Sequence, residues 1–234
     1  MRVGYVICIL ALFSILGACN EFPKYRYRLT VVVDTPEGPR QGYTIIEVRT
    51  STQTLPGPGI RRDAVGEAAV IDLGRRGLLF ALPRGDQFHD WAGQVYAYLT
   101  PQPARGLSAS EVAASSVKAA RDSKAPIILP RYLNTQDARL VLSGYPLLVR
   151  FRDPSDYRTL ERVDPDNLAE SFGSGVKLRR MTVQITQDYP ERRVIRYLPW
   201  LPNIKGPFDK NYMMVRPHGE FRNNLSSRSF DPEI

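Results

Sequence analysis

Residues 25–50 read YRYRLTVVVDTPEGPRQGYTIIEVRT, and this stretch decides the fold class. From Tyr25 to Val33, apolar or aromatic residues mostly alternate with polar ones, which is the period of a half-buried strand. Thr-Pro-Glu-Gly-Pro at 35–39 is rich in turn-forming residues. A second β-rich run begins at Tyr43. We therefore predict a β-hairpin over this stretch.

A second hairpin is predicted downstream of the first. EAAVIDL (67–73) and GLLFALP (77–83) have the composition of short strands, and Gly-Arg-Arg at 74–76 separates them. Between the two hairpins lies LPGPGIRRD (55–63). Its prolines and glycines suit neither a helix nor a central strand, so the sequence predicts a loop there.

The middle of the chain favours helices. HDWAGQVYAYL (89–99) has apolar residues at helical spacing, with Asp90 as a candidate N-cap and Pro101 as a stop. SASEVAASSVKAARDS (108–123) begins with the S-x-x-E pattern of a capping box. Two helices are therefore expected after the two hairpins.

Short strands and one more helix complete the pattern. Residues 127–130 and 139–153 are β-rich, and Asp164 before a proline predicts the N-cap of a short helix. A strand over 176–185 follows, with a possible bulge at Arg179-Arg180, where strict alternation is interrupted. The whole pattern predicts an α+β fold: a mainly antiparallel β-sheet or sandwich-like domain with two or three short packed helices.

The first nineteen residues, MRVGYVICILALFSILGAC, form a separate element. Arg2 precedes an apolar stretch from Val6 to Leu16, and small residues lead to Cys19. A basic start, a short apolar core and a small-residue exit are typical of a secretory signal peptide. This apolar core is shorter than the roughly 20 residues that a bilayer span needs, so a cleaved signal is favoured and an uncleaved anchor is the weaker alternative.

Leu16-Gly17-Ala18-Cys19 resembles the lipobox of bacterial lipoprotein precursors, in which a branched apolar residue and two small ones precede a cysteine. The resemblance implies that residues 1–18 are removed and that Cys19 becomes the acylated first residue. It also implies that membrane lipid is a partner through Cys19. Asn20 in the next position favours the outer membrane, with the protein facing the periplasm.

The rest of the chain divides into three parts. Residues 19–24 form a short lipid tether, and residues 25–188 form the globular α+β domain. Residues 189–234 have several prolines and few periodic apolar positions. They are therefore expected to form an extended C-terminal segment that wraps the domain.

Cysteine usage limits the chemistry of the mature protein. The chain contains 2 cysteines, Cys8 in the signal and Cys19 at its end. Without them the mature domain has no disulfide, no zinc–thiolate site and no cysteine nucleophile.

The chain is basic, with Lys+Arg 32, Asp+Glu 24 and a formal net charge of +8. The basic residues are scattered in pairs and form no long run. Export also conflicts with a role in nucleic-acid binding, so no nucleic-acid partner is predicted. The scattered charge is typical of a solvated mixed surface, and the alternative is a contact surface for an anionic surface of the envelope or another envelope protein.

One cluster carries residues suited to catalysis. GDQFHDW (85–91) places Asp86 and Asp90 around His89, and each side chain could ligate a metal or orient a base. The spacing matches no hydrolase or metal motif, and helix capping explains both carboxylates equally well.

The second histidine, His218, has Glu220 two residues away, which permits a base and its orienting partner but is equally typical of a turn. The chain has neither a G-x-S-x-G elbow nor a phosphate loop. No cofactor and no bound metal are predicted.

The segment FRDPSDYRTLERVDPDNLAESFGSGVKLRRMTVQIT (151–186) carries the patterns F-R-D, E-R-V-D-P and F-G-x-G-V-x-L-R-R. It resembles a segment of uncharacterised alphaproteobacterial proteins, and this resemblance implies no activity. Four of its charged residues are interpreted as turn and cap residues or as a small polar site: Asp153, Glu161, Arg162 and Asp164.

These observations favour a lipid-anchored cell-envelope protein that is a non-enzymatic binding or structural module. The alternative is a metal-dependent or acid/base periplasmic hydrolase that uses Asp86, His89 and Asp90.

Overall fold

A computed structural model provides the structure, and it describes residues 22–53, 59–85, 90–101, 103–135, 141–208 and 225–233. The strands of this part are β1 Tyr25–Asp34, β2 Arg40–Gln53, β3 Gly59–Val65, β4 Ala69–Asp72, β5 Leu78–Ala81, β6 Ile127–Ile128, β7 Tyr132–Leu133, β8 Leu142–Ser143, β9 Leu148–Phe151, β10 Leu160–Arg162 and β11 Lys177–Ile185. The helices are α1 Trp91–Leu99, α2 Ala109–Asp122, α3 Leu168–Phe172, α4 Val194–Tyr197 and α5 Ser227–Phe230.

The predicted hairpin at 25–50 is present and forms the centre of a five-stranded antiparallel sheet. Its strand order is β3-β2-β1-β11-β6. Leu29 lies opposite Thr44 of β2 and Val183 of β11, so alternate residues of three strands face one core. The bulge predicted at Arg179-Arg180 is also present, since the register between β1 and β11 shifts by one residue there.

The predicted loop at 55–63 is wrong over its second half. Residues from Gly59 onward belong to β3, which pairs with the far end of β2 from Gln53↔Gly59 to Glu47↔Val65. β2 lies between β1 and β3, and its residues beyond Val48 pair only with β3. After Pro58 every residue has a free amide to donate, so this edge strand forms although its sequence, GIRRDAV, does not alternate.

The second predicted hairpin is confirmed as β4 and β5, joined through a 3₁₀ turn over Gly74–Arg76. It belongs to a four-stranded antiparallel sheet with the order β10-β9-β5-β4. The structure is therefore an α+β fold built on antiparallel sheets, as predicted. It contains five short helices in the described residues, rather than two or three.

Helix α2 begins as its sequence predicts, because Ser108 and Glu111 form the reciprocal capping box. Asp90 occupies the N-cap position of α1 but its side chain forms no capping bond. The N-cap of α3 is Asn167, so the prediction of Asp164 was wrong by three residues. Asp164 instead closes the preceding turn, where its side chain accepts a hydrogen bond from the amide of Asp166 at 2.9 Å.

The first hydrophobic core lies between the two sheets and under α1 and α2. Residues from these elements and from α3 are buried together in it: Tyr25, Tyr27, Leu29, Ile46, Ile71, Leu79, Trp91, Val95, Val117, Leu148, Phe172 and Val183. The Tyr27 hydroxyl donates to the carbonyl of Ala92 at 2.7 Å, which fixes α1 on the sheet. This core is made mainly of the periodic apolar positions.

A second core covers the opposite face of the four-stranded sheet. Its residues come from β5, β9 and β10, from positions next to β4 and β5, and from the C-terminal part of the chain: Ala68, Phe80, Leu82, Val149, Phe151, Leu160, Val194, Leu198, Leu201, Phe208, Leu225 and Phe230. Residues 189–208 and 225–233 contain α4, α5 and a 3₁₀ turn, where an extended segment was predicted.

Candidate functional site

The N-terminal entry to the domain is firmly attached to the five-stranded sheet. The amide of Phe22 donates to the carbonyl of Thr50 at 3.0 Å, and its ring packs against the first core. Only Pro23 and Lys24 separate this residue from β1. The chain is therefore held in place from the first described residue onward.

A cavity of about 510 Å³ lies beside this entry point. It is formed by the start of β1, the end of β11 and the C-terminal half of α2. Its lining residues are Phe22, Pro23, Lys24, Tyr25, Arg26, Ala114, Val117, Lys118, Arg121, Asp122, Ile185, Thr186 and Gln187. The lining combines apolar side chains with charged ones, and we refer to this cavity as the entry groove.

The entry groove is positively charged. Its lining contains four cations, Lys24, Arg26, Lys118 and Arg121, and one carboxylate, Asp122. Lys118 Nζ lies 2.6 Å from an oxygen of Asp122, and this hydrogen bond holds the pKa of Asp122 below its ordinary value. Among the described residues, no hydrogen bond or ion pair is formed by Arg121, and its charge contributes a smaller part to the lowered pKa of Asp122. It is thus available to an anion from outside.

Glu47 organises the cations at the side of the groove. It is only 7% exposed, and Arg26, Arg49 and Lys24 approach its carboxylate at 2.8, 3.0 and 3.5 Å. Burial acts to raise the pKa of Glu47, but the hydrogen bonds from Arg26 and Arg49 outweigh it and the pKa is lowered. One ionised carboxylate therefore faces three cations, and the excess charge stays positive.

An exposed aromatic ring completes this end of the molecule. The guanidinium of Arg26 lies 3.8 Å from the ring centroid of Tyr189, and Tyr189 is 69% exposed. A cation stacked on an amphipathic ring is attracted by the quadrupole of that ring. Tyr189 therefore adds an exposed aromatic ring next to the cations of the groove.

The residues of the predicted catalytic cluster are only partly described. Asp86 and His89 lie outside the described residues. Asp90 is exposed, and its carboxylate accepts a hydrogen bond from the side chain of Gln94. It lies on a cavity of about 370 Å³ whose lining includes Arg62, Asp63 and Arg84.

Of the other sequence candidates, only Asp153, Glu161, Arg162 and Asp164 belong to the described residues. Cys19, His218 and Glu220 lie outside the described residues. Asp153 accepts hydrogen bonds from Ser155 within a turn.

Glu161 and Arg162 are neighbours in β10 and so face opposite sides of the sheet. Glu161 is paired there with Arg150 and Arg152, at 2.9 and 2.7 Å. The ion pairs of Glu161 therefore stabilise paired strands, and the hydrogen bonds of Asp153 stabilise a turn.

The described residues contain no cluster of three or more His, Cys, Asp or Glu side chains able to hold a metal ion. No helix among them combines the length and the apolar character needed to cross a bilayer.

The entry groove itself was not predicted from the sequence, because its lining comes from three segments more than 60 residues apart. Two signals point to parts of it. The tether, residues 19–24, ends in residues that line the groove. Lys118 and Arg121 are three positions apart on one helix, so they lie on the same face.

Comparisons with protein-family models, with curated proteins and with solved structures gave no match for this chain.

Proposed function

We propose that the protein is a lipid-anchored, non-enzymatic module of the cell envelope, acylated on Cys19 and held with its entry groove against the membrane. The observation that carries this proposal is the attachment of Phe22 to β2, three residues after the lipobox cysteine.

The length of the tether limits how far the domain can move from the bilayer. Three virtual bonds separate the Cα atoms of Cys19 and Phe22, so the two lie at most about 11 Å apart. The head-group layer on each side of a bilayer is roughly 5–8 Å thick. A domain anchored through Cys19 therefore keeps its entry groove at the level of the lipid head groups.

The surface at this end suits such a position. Lys118 and Arg121 face outward, and cations near an anionic leaflet are attracted to it. The exposed ring of Tyr189 is of the amphipathic kind that is enriched at membrane interfaces. Asn20 supports placement in the outer membrane, with the domain in the periplasm and an anionic surface or another envelope protein as its partner.

Cell fractionation tests the anchor. The wild-type chain is expected in the membrane fraction and is released by detergent but not by high salt, because several acyl chains bind a bilayer firmly. The Cys19→Ser variant is expected in the soluble fraction or as an unprocessed precursor.

Cys8→Ser is the matched control, because it removes the other cysteine and leaves the lipobox intact. The proposal is wrong if the Cys19→Ser chain loses residues 1–18 as wild type does and is still found in the membrane fraction, or if Cys8→Ser loses the membrane as completely as Cys19→Ser.

A further inference from the structure

We infer that the entry groove binds the phosphate head group of an anionic phospholipid in the leaflet that carries the acylated Cys19. This inference rests on the proposed function for the orientation of the domain. The binding chemistry itself comes from the described side chains.

The shape and lining of the groove suit an anionic amphiphile. Its volume of about 510 Å³ lies within the range of small-molecule sites. Phe22, Val117 and Ile185 provide apolar surface, while the rim carries the cations. A phospholipid presents the same pairing, with a charged phosphate next to an apolar glycerol and chain region.

Two cations on α2 are suited to contact the phosphate. Arg121 is exposed and forms no hydrogen bond or ion pair among the described residues, and a guanidinium binds two phosphate oxygens at once. Lys118 is 78% exposed, and its pair with Asp122 is an exposed i,i+4 contact of small strength. Lys118 can therefore exchange this carboxylate for a phosphate at little cost.

Lys24 lines the groove on the side of β1, across from α2, so the cations come from two elements. A ligand in the groove can therefore contact cations from both elements. This arrangement differs from a flat basic patch, because charge from two elements and apolar surface meet in one concave site.

The position of the groove favours a lipid over a soluble anion. Its wall contains Phe22, Pro23 and Lys24, the residues that continue directly from the tether. In the anchored protein, the groove lies at the depth where phospholipids carry their phosphates, and many copies of the ligand are present there.

Vesicle sedimentation tests the inference with the Cys19→Ser chain purified from the soluble fraction without residues 1–18, because this chain has neither an acyl group nor an apolar leader to hold it. Binding is expected to vesicles of phosphatidylglycerol mixed with phosphatidylcholine, and not to phosphatidylcholine alone. It should weaken as salt is added. Each cation near an anionic surface changes affinity about fivefold, so Lys118→Ala/Arg121→Ala should lower the affinity roughly 25-fold.

The matched control is Arg75→Ala/Arg179→Ala, which removes the same charge at the opposite end of β1. Arg75 pairs with Glu37 and Arg179 with Asp34, both near the first hairpin turn. This site lies about 30 Å from the groove along the strand. The control should bind almost as well as the parent, and both double variants should keep their thermal stability, since all four side chains are at least partly exposed.

Three results would overturn the inference. Absence of binding to phosphatidylglycerol vesicles would do so, and so would an equal loss in both double variants, which indicates diffuse attraction by net charge. Tight binding of inorganic phosphate alone would show that the lipid is not required. None of these results changes the fractionation of the acylated wild type, so the anchor and the groove are tested separately.

Discussion

The two faces of the four-stranded sheet are covered in different ways. One face packs against the five-stranded sheet, whose strands β1 and β2 form a local hairpin. The other face is covered by residues 194–208 and 225–230, which lie far along the chain from most of the strands they contact. For example, the amide of Ala68 donates to the carbonyl of Phe230 at 2.7 Å.

The second face depends on individual rings and buried carboxylates instead of periodic strands. Its aromatic cluster contains Phe80, Phe151, Trp200, Phe208 and Phe230, with neighbouring ring centroids 5.3 to 6.0 Å apart.

The buried carboxylate of Glu67 accepts hydrogen bonds from the amides of Arg193 and Val194, at 2.7 to 2.8 Å. A few such contacts attach the C-terminal part of the chain. The two cores are therefore buried to the same degree in different ways. The first is formed by periodic strand residues, and the second by individual side-chain contacts.

The largest expected effect comes from removing the central ring of the second core. Phe230 is fully buried and contacts Phe80 and Phe151, so Phe230→Ala should lower the free energy of unfolding by about 3–5 kcal/mol. Urea denaturation measures this change. Tyr189→Ala, at an exposed ring, is the control and should change stability by no more than about 1 kcal/mol, the strength of its exposed contact with Arg26.

The same denaturation curves also compare the two cores directly. A single transition in Phe230→Ala would show that both cores unfold together. A separate early transition, with most of the β signal retained, would mean that the second core is an independent unit.

The close approach of the two sheets predicts the next effect. A Cβ on Gly42 would overlap the carbonyl oxygen of Val70, so Gly42→Ala should cost about 1–3 kcal/mol by forcing the sheets apart. Gly59→Ala is the control, because its Cβ would come no closer than 3.8 Å to another residue. Equal stability of the two variants would contradict the packing described for the first core.

A smaller effect is expected at the start of α2. Ser108 accepts a hydrogen bond from the amide of Glu111, and Ser108→Ala should cost about 1 kcal/mol by removing it. Ser110→Ala, inside the same helix, should be neutral or slightly stabilising. Thermal melting followed by circular dichroism compares the two, and equal melting temperatures would refute the role of the capping box.

The smallest expected effect is on the pH dependence of the free energy of unfolding. This dependence has opposite signs at Glu67, next to the second core, and at Glu37, in the first hairpin turn. Burial raises the pKa of Glu67 above its ordinary value of 4.5, so its contribution to stability is fully present below this value and is lost as pH rises through the raised pKa. Hydrogen bonds from Arg76 and Arg75 lower the pKa of Glu37 to about 2. Its contribution is therefore present above pH 4.5 and is lost as pH falls toward 2.

Unfolding measured across pH in two variants checks these signs. Glu37→Gln should remove the loss of stability on the acid side, and Glu67→Gln should remove the loss on the neutral side. The interpretation fails if either variant keeps the slope of the wild type in its own window.

The first core was predictable from the sequence because each of its strands carries its own signal. Tyr25 to Val33 alternate, Ser108 and Glu111 form a capping pattern, and Arg179-Arg180 interrupts alternation at the bulge. Each signal is local, and local patterns predict local structure.

The missed features depend on distant partners. β3 is an edge strand with three charged residues in a row, and it is held by pairing with the far end of β2. Val194, Leu198 and Leu201 have the i, i+4, i+7 spacing of a helix face, but prolines interrupt the segment and nothing in this spacing indicates which sheet the residues cover. The entry groove likewise requires Lys24, Lys118 and Thr186 to be brought together by the fold, and no spacing in the sequence encodes that.

The central claim is that this domain is attached to a membrane through Cys19. Mass spectrometry of the mature protein tests it most directly, because trypsin cleavage after Lys24 releases the N-terminal peptide CNEFPK. The account predicts that this peptide carries a diacylglyceryl group on Cys19 and that no peptide from residues 1–18 is attached to it. A mature chain that retains those residues, or that begins at an unmodified Cys19, would contradict the account.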